Sequence, residues 1–566
     1  MVVKRAAHIT ALFAALVAAF CAASAAAALP ARTVVRVPFP RYDGTLTPYT
    51  FELGYPLVTL VYDTLLWRDA NGVPQPWLAR SLQRTAGGRR LTITLQKGAR
   101  WQDGRPLTAE DVAFTFRYVA SHFHPRFTPE LADVERVRAT DQLTVTIDLR
   151  HVSLGFEDQP LSDVPILPKH LWQGLAPGLL APPGLPVGSG PYRLVSAKPS
   201  TGYVFDANDA YFKGAPRVRQ IRVPIVQQEQ RAYDDLLQGR ADMLPFGLPN
   251  GAAQNLGGAP GIAISSGPLY SGTALVLNLR RSPFANPAAR RAVAQGLDLQ
   301  QIASNAGPAA AADQGYIDPV SPWASGTILQ RFDPSAARAA VTGLRLPLIH
   351  VLAANNDPVR LEAGRQVVLD LRRVGIKATL TTVSSAALGQ ALGENGSAPH
   401  FDAAIDSTSP LASYDPDFLA ALFGSSPVTS PLNVTGYRSH AFDALAQRVA
   451  SAPDQESRRQ AARAALGLLA HDLPVIPLFF SQGTFAYRSA AYAGWVFVKG
   501  TGILDKRSFL AAQPRLVSGT HGGGSPAPTG SGSGLGLIDI ASLVVVAIVV
   551  LLAGAAARAR RAGERR

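Results

Sequence analysis

Residues 97–116 read KGARWQDGRPLTAEDVAFTF, and the order of turns and helix signals in this stretch decides the fold. Just before it, Leu91, Ile93 and Leu95 alternate with threonines, which predicts a half-buried strand. Lys97-Gly98 and Asp103-Gly104 then supply two turns. Thr108 is a natural helix N-cap, Asp111 stands three residues on as its capping-box partner, and Glu110 adds negative charge to the first turn. Val112, Ala113, Phe116, Val119 and Ala120 are expected on one helical face. Every residue here has a structural use, so the segment points away from catalysis.

Further motifs flank this one. Upstream are Val61-Tyr62-Asp63-Thr64-Leu65-Leu66 and Pro76-Trp77-Leu78-Ala79; downstream are Val187-Gly188-Ser189-Gly190-Pro191-Tyr192 and the loop from Asn208 to Pro216. Later come Leu277-Asn278 with Pro283-Phe284 and Arg290-Arg291-Ala292, then Phe442-Asp443-Ala444-Leu445, then Leu473-Pro474-Val475-Ile476-Pro477-Leu478. In this order, over roughly Val34 to Pro514, the set resembles the family 5 extracellular solute-binding proteins, the oligopeptide, dipeptide and nickel receptors of ABC importers.

A chain of 566 residues with 47% hydrophobic and 17% charged residues can bury a large core and suggests two or more lobes. Residues 1–28 read as a secretory signal: Lys4 and Arg5, an apolar run from Ile9 to about Ala23, then small residues to Ala28. Cys21, the only cysteine, lies inside it behind Phe20, where lipoprotein processing needs a small residue. Cleavage beyond Cys21 leaves neither a disulfide nor a catalytic thiol.

At the other end, residues 515–534 are a Gly/Ser/Pro linker and 535–557 are long and apolar enough for a transmembrane helix. Residues 558–566 form a basic tail, expected in the cytoplasm. The expected location is the cell membrane, single-pass, with the binding domain extracellular or periplasmic and the bilayer engaged through the C-terminal helix. The net charge of +14 is concentrated partly at the termini, leaving about +8 on the exported region without a basic run. That distribution argues against nucleic acid as a partner.

Alternating strands and amphipathic helices indicate an α/β fold. The resemblance implies a two-lobed periplasmic-binding-protein-like fold of type II with an extra domain. Lobe 1 is then expected at 33–55, 187–270 and 480–514, the extra domain of lobe 1 at 56–186, and lobe 2 at 271–479. Pro182-Pro183-Gly184 and Gly267-Pro268 read as breaks near these borders. Leu346 to Ala353, Arg360 to Val374 and Lys377 to Val383 read as a βαβ unit closed by Gly375, and Ala274 to Leu279 as a strand. Ligands of such sheets lie beyond the carboxyl ends of the strands, in the cleft between lobes.

No G-x-S-x-G elbow, H-E-x-x-H helix or P-loop occurs, so no catalytic residue, cofactor or metal site is assigned. His122 and His124 have the form of a metal pair, but no acidic or cysteine ligand accompanies them at ligand spacing. The binding constellation is Phe401 to Asp406 followed by Ser413-Tyr414-Asp415-Pro416, which resembles the family's cleft strand and Asp-Pro loop. In peptide-binding members an acidic residue three positions before that aspartate grips the peptide's α-ammonium. Here the position is Ala412, which offers no charge-assisted hydrogen bond.

The candidate ligand contacts are the aromatic residues Tyr49, Tyr270, Trp323 and Tyr414, with Asp406 and Asp415 as polar groups. The expected function is a membrane-anchored receptor, not an enzyme, that captures a peptide or other small solute and delivers it to the permease. Its partners would be the solute and the ABC permease transmembrane subunits with their cytoplasmic ATPase subunits. Oligosaccharides, nickel chelates and haem remain open as solutes, and a secreted enzyme or adhesin on the same scaffold is the alternative.

Overall fold

A computed structural model describes residues 34–510, apart from 52, 176–178, 308, 312–314, 322, 325–330, 394–396, 408–414, 428–429 and 431. The signal, linker, apolar segment 535–557, basic tail, Ala412 and Tyr414 lie outside the described residues. Among the described residues, no helix is long and apolar enough to cross a membrane.

Leu91, Ile93 and Leu95 are fully buried along the strand Arg90–Leu95. With Ala79–Thr85, Thr144–Leu149 and Val134–Ala139 it forms a four-stranded antiparallel sheet. The helix Ala109–Ser121 buries Val112, Ala113, Phe116 and Val119 in the same hydrophobic cluster as that sheet. Ala120, expected on the same face, is exposed. Its direction, roughly 80° around the helix from Val112, lies within the stripe, and its exposure follows from its place in the last turn of the helix. Asp111 does more than cap: Oδ2 accepts the Thr108 N–H at 2.9 Å, and Oδ1 accepts the Lys169 N–H at 3.0 Å. The cluster, from Leu65 to Ile166, is a hydrophobic core of its own, distinct from those of the two other large sheets.

A second four-stranded sheet has the order Val34–Arg36, Gln220–Val223, Gly202–Ala207, Tyr192–Lys198. Its first pair is parallel and the others are antiparallel. Its core draws on Val35 and Val37, on Tyr192 and Phe205, and on Ile503 and Phe509, so both ends of the described chain meet there. Gly188 and Gly190 fit against the end of the helix Tyr55–Val61. A Cβ on Gly188 would stand 1.9 Å from the Val61 carbonyl oxygen, so only glycine admits this approach.

The third large sheet has six strands. Ile349–Ala354 runs parallel to Ala378–Val383 and to Ala403–Ser407, and the helix Pro358–Arg373 makes the crossover. The expected βαβ unit is therefore present, with Gly375 at φ +87° beyond the helix. The helix begins at Pro358 rather than Arg360, because Asp357 caps it by accepting the Arg360 N–H at 2.9 Å.

Two long antiparallel strands, Ile262–Leu277 and Val475–Arg488, join the lobes. Their Leu275–Ile476 end belongs to the core of lobe 2, whereas Phe485 packs in the core of lobe 1. Gly267-Pro268 is not the break the sequence suggested. Both residues pair within the ladder, Gly267 with Gly483 and Pro268 with Gln482, and the irregularity falls between Pro268 and Gly272. A bulge accommodates the proline, which cannot donate to the ladder.

One buried carboxylate ties the first lobe to the extra domain. Asp63 Oδ1 accepts from Trp77 Nε1 at 2.9 Å, Tyr211 OH at 3.0 Å and Lys506 Nζ at 2.9 Å, and Oδ2 accepts from Ser189 Oγ at 3.1 Å. Asp63 and Lys506 are both fully buried. Burial pushes the Lys506 ammonium below its usual range, opposed by the charge of Asp63.

Replacing Lys506 by methionine leaves Asp63 charged and buried without its counter-ion, and is expected to cost about 3–5 kcal/mol, read as a lowered urea midpoint. Gly188→Ala drives a methyl into a backbone carbonyl and is expected to cost at least about 3 kcal/mol in the same measurement.

Candidate functional site

A cavity of about 140 Å³ lies where the crossing strands pass between the lobes. Leu269, Thr273, Ser481 and Gln482 on those strands line it, with Gly247-Leu248 from one side and Asp357 and Arg360 from the other. The position follows from the topology: Asp357 and Arg360 sit just beyond the carboxyl end of the strand Ile349–Ala354, where parallel sheets place their ligand groups.

The Arg360 guanidinium stands 3.4 Å from Asp357 and 3.6 Å from Asp406. Asp406 lies on the strand Ala403–Ser407 opposite Ala274, next to the cavity-lining Thr273. Burial pushes the Asp406 carboxyl up and the Arg360 charge pulls it back. Glu229, in the helix Glu229–Leu237, is pushed up to about 7 by burial, and the charge of Asp357 adds to the shift while a hydrogen bond from Tyr233 opposes it. The Tyr233 hydroxyl donates to Glu229 Oε2 at 3.2 Å. Asp357 and Arg360 thus face the small cavity directly, with Asp406 behind them on Arg360 and Glu229 acting on Asp357 by its charge, so the cavity offers both an acceptor and a donor to a polar solute.

Asp415 is 3% exposed and holds Arg458 bidentately, at 2.7 Å to Oδ2 and 2.6 Å to Oδ1. Trp323 lies under the same guanidinium, 4.9 Å from its centre, so these two expected contacts meet at Arg458. Tyr270 is buried against Gly500 and faces Arg68 at 5.9 Å, and burial raises its phenol. Tyr49 sits in an aromatic group with Tyr118, His124 and Trp172, donates its hydroxyl to the His122 carbonyl at 2.9 Å, and is raised by burial. Tyr414 lies outside the described residues. Of the five that are described, only Asp406 adjoins the small cavity, through Arg360. Glu229, Asp357 and Arg360 escaped sequence reading, although an Asp-Pro helix start directly after a strand was a usable signal for the last two.

A larger cavity, about 380 Å³, lies between residues 125–160 and 417–450 and is lined by Arg126, Glu130, Asp133, Asp417 and Asp443 among mostly apolar neighbours. His124 stacks on Phe127 at 4.4 Å, and burial lowers it to about 4, so its imidazole is neutral at pH 7. Among the described residues, no group of three or more His, Cys, Asp or Glu side chains is placed to hold a metal.

Comparison with known proteins accords with this architecture. Residues 73–430 match the bacterial extracellular solute-binding proteins, family 5 Middle. The peptide transport periplasmic protein SapA of Salmonella typhimurium is 23% identical over 433 residues, spanning 70% of this chain and 76% of SapA. The oligopeptide-binding protein AppA of Bacillus subtilis, solved with a nonapeptide, superposes with a TM-score of 0.75 at 20% identity, over 85% of this chain and 99% of AppA. NikZ of Campylobacter jejuni, solved with Ni(L-His), gives a TM-score of 0.70 at 20% identity, over 81% of this chain and 94% of NikZ. With the match covering more than half its length, this chain belongs to the family 5 bacterial extracellular solute-binding proteins.

Proposed function

We propose that this protein is the membrane-anchored solute receptor of an ABC importer, capturing a peptide or other small solute between its lobes and presenting it to the permease. The single observation that carries the reading is the family match over residues 73–430, on a fold whose lobes are joined by two crossing strands. Relatives named for peptide transport and structures solved with a nonapeptide or a nickel–histidine complex support solute capture without fixing the solute. In this reading lobe 1 comprises 33–55, 187–270 and 480–514, the extra domain 56–186 and lobe 2 271–479. The signal 1–28 directs export, and 535–557 anchors the receptor through the linker 515–534. Tethering raises its effective concentration at the permease.

The work is differential binding. A solute that touches both lobes favours the closed state by the free energy of contacts available only there, and no bond is made or broken. Asp357, Arg360, Asp406 and Glu229 supply the polar groups of the cleft. Ala412 removes the carboxylate that would hold a peptide's α-ammonium, so the solute is recognised by other groups or the cleft carboxylates take its charge.

Mass spectrometry of solutes that co-purify with the protein will identify the class. Small-angle scattering with those solutes should show a smaller radius of gyration on binding; a solute that binds without compaction overturns capture by closure. Ala412→Asp is expected to tighten binding of free-amine peptides roughly tenfold or more, the worth of one charge-assisted hydrogen bond. Calorimetric titration checks this, and unchanged affinity means that residue 412 does not face the solute.

A further inference from the structure

The backbone of the extra domain covers a charged cluster on lobe 2. Arg458, 1% exposed, serves Asp415 through the two bonds described above and also pairs with Asp417 at 2.8 Å. Its Nε donates to the Val449 carbonyl at 3.2 Å, so the guanidinium is fixed. One cation thus meets two anions, and Asp417 Oδ1 is buried without a hydrogen-bond partner. Gly155 closes over them: a Cβ there would stand 2.4 Å from Asp417 Oδ2, 2.7 Å from Arg458 Nη2 and 3.0 Å from Asp415 Oδ1. Gly155 does not occupy the left-handed region, so its glycine character serves this contact rather than its own turn. The Asp158 N–H donates to the Gly155 carbonyl at 3.0 Å, and the Asp158 carbonyl accepts from Arg68.

The surroundings leave an excess of negative charge. From the extra domain, Asp158 faces Asp415 and Arg458, and Asp133 acts on Asp417, while Glu157 and Arg68 act on Asp158 itself. Arg84 holds Glu157 at 3.0 Å and His151 holds Asp133 at 2.9 Å. Across the adjoining cavity stand Arg126, Glu130 and Asp443, of which Arg126 is neutralised by Asp163 at 2.6 Å.

We propose that Gly155 and the Asp415–Arg458–Asp417 cluster form a proton-taking latch that seats the extra domain on lobe 2 and steadies the Asp-Pro loop that follows residue 412. The consequence for capture rests on the receptor reading; the contact itself does not. Burial first, and then the charge of Asp415, push Asp417 up to about 7 and Asp158 up to about 6. The charge of Asp415 acts on Asp417 in either state, whereas the approach of Gly155 to Asp417 and of Asp158 to Asp415 exists only when docked, so docking takes up protons to the extent of that added burial and repulsion. Docking is therefore favoured as pH falls and loses this contribution as pH rises through about 7. Below the ordinary carboxylate range both states are protonated and the dependence ends. For a group titrating near 7 when docked, the docking constant rises up to about tenfold between pH 8 and pH 6.

Pulsed electron paramagnetic resonance on the full chain in detergent micelles tests this without any solute. Spin labels are placed through Thr85→Cys and Arg463→Cys in a Cys21→Ser background, both on exposed positions of the two units. The short-distance population should grow up to about tenfold relative to the long one from pH 8 to pH 6. Asp417→Asn should flatten that profile, and Gly155→Ala should deplete the docked population at every pH. A Gly155→Ala distribution equal to the parent's, or a parental pH profile in Asp417→Asn, overturns the latch. Solute binding that persists beside either result leaves the receptor reading intact, whereas a working latch in a protein that binds no solute overturns only the receptor reading.

Discussion

Asp63 is a carboxylate with no access to water, and four segments distant along the chain meet where its acceptors are satisfied. Desolvating such an ion costs several kcal/mol, which is offset only when its lone pairs are all engaged and a counter-ion is close. Its four donors come from Trp77, Ser189, Tyr211 and Lys506. Asp63 and the first three of these lie in four separate motifs by which the sequence resembles its family: the Val61–Leu66 segment, the Pro76–Ala79 turn, the Val187–Tyr192 strand start and the Asn208–Pro216 loop. What reads along the chain as scattered short matches is in space one electrostatic knot. The two glycines beside Ser189 belong to the same constraint, since they let the strand start approach the Val61 carbonyl closely enough for the serine to reach the carboxylate.

That rigid knot stands some distance along the chain from a deliberately divided centre. The crossing strands carry both lobes' cores on one continuous ladder, interrupted near Pro268 to Gly272. Bulged ladders twist more readily than regular ones, which locates compliance between the lobes rather than inside them. The charged groups near the small cavity come from both sides of the crossing: Glu229 precedes the first crossing strand, whereas Asp357, Arg360 and Asp406 follow it. Like charges left facing one another oppose empty closure and are relieved by a bound cation or donor.

Local physics made the strands and helices legible. Alternation gave Leu91 to Leu95, the capped helix after Thr108 appeared where its threonine and aspartate placed it, and the helix of the βαβ unit stopped before Gly375. Punctuation misled at Gly267-Pro268, because glycine and proline mark a bulge inside a ladder as readily as a break between elements. The site was less legible for a different reason. Asp415 was expected to contact the solute and instead holds Arg458 in a buried ion pair; Arg458 shares a helical face with Ala461, Ala462, Ala465 and Leu469, a spacing that sets it apart from Arg459 and Arg463 but does not name its partner. Lys506 is 443 residues from Asp63, and no periodicity relates them. Long-range pairing of charges is set by the fold, whereas the sequence displays only the residue types available for it.

The core of lobe 1 also imposes an order on assembly. Val35 and Val37 enter it from one end of the described chain, Ile503, Leu504 and Phe509 from the other, and Lys506 arrives with the latter. The apolar residues of lobe 2 instead lie in one uninterrupted stretch, Ala274 to Phe479. A chain that emerges from its amino end can therefore complete the second lobe while the first still lacks its closing strand and its counter-ion. Until residue 506 appears, Asp63 lacks its counter-ion, and burying it would cost several kcal/mol, so the first lobe closes around that carboxylate only once the segment that carries Lys506 and Phe509 has been delivered.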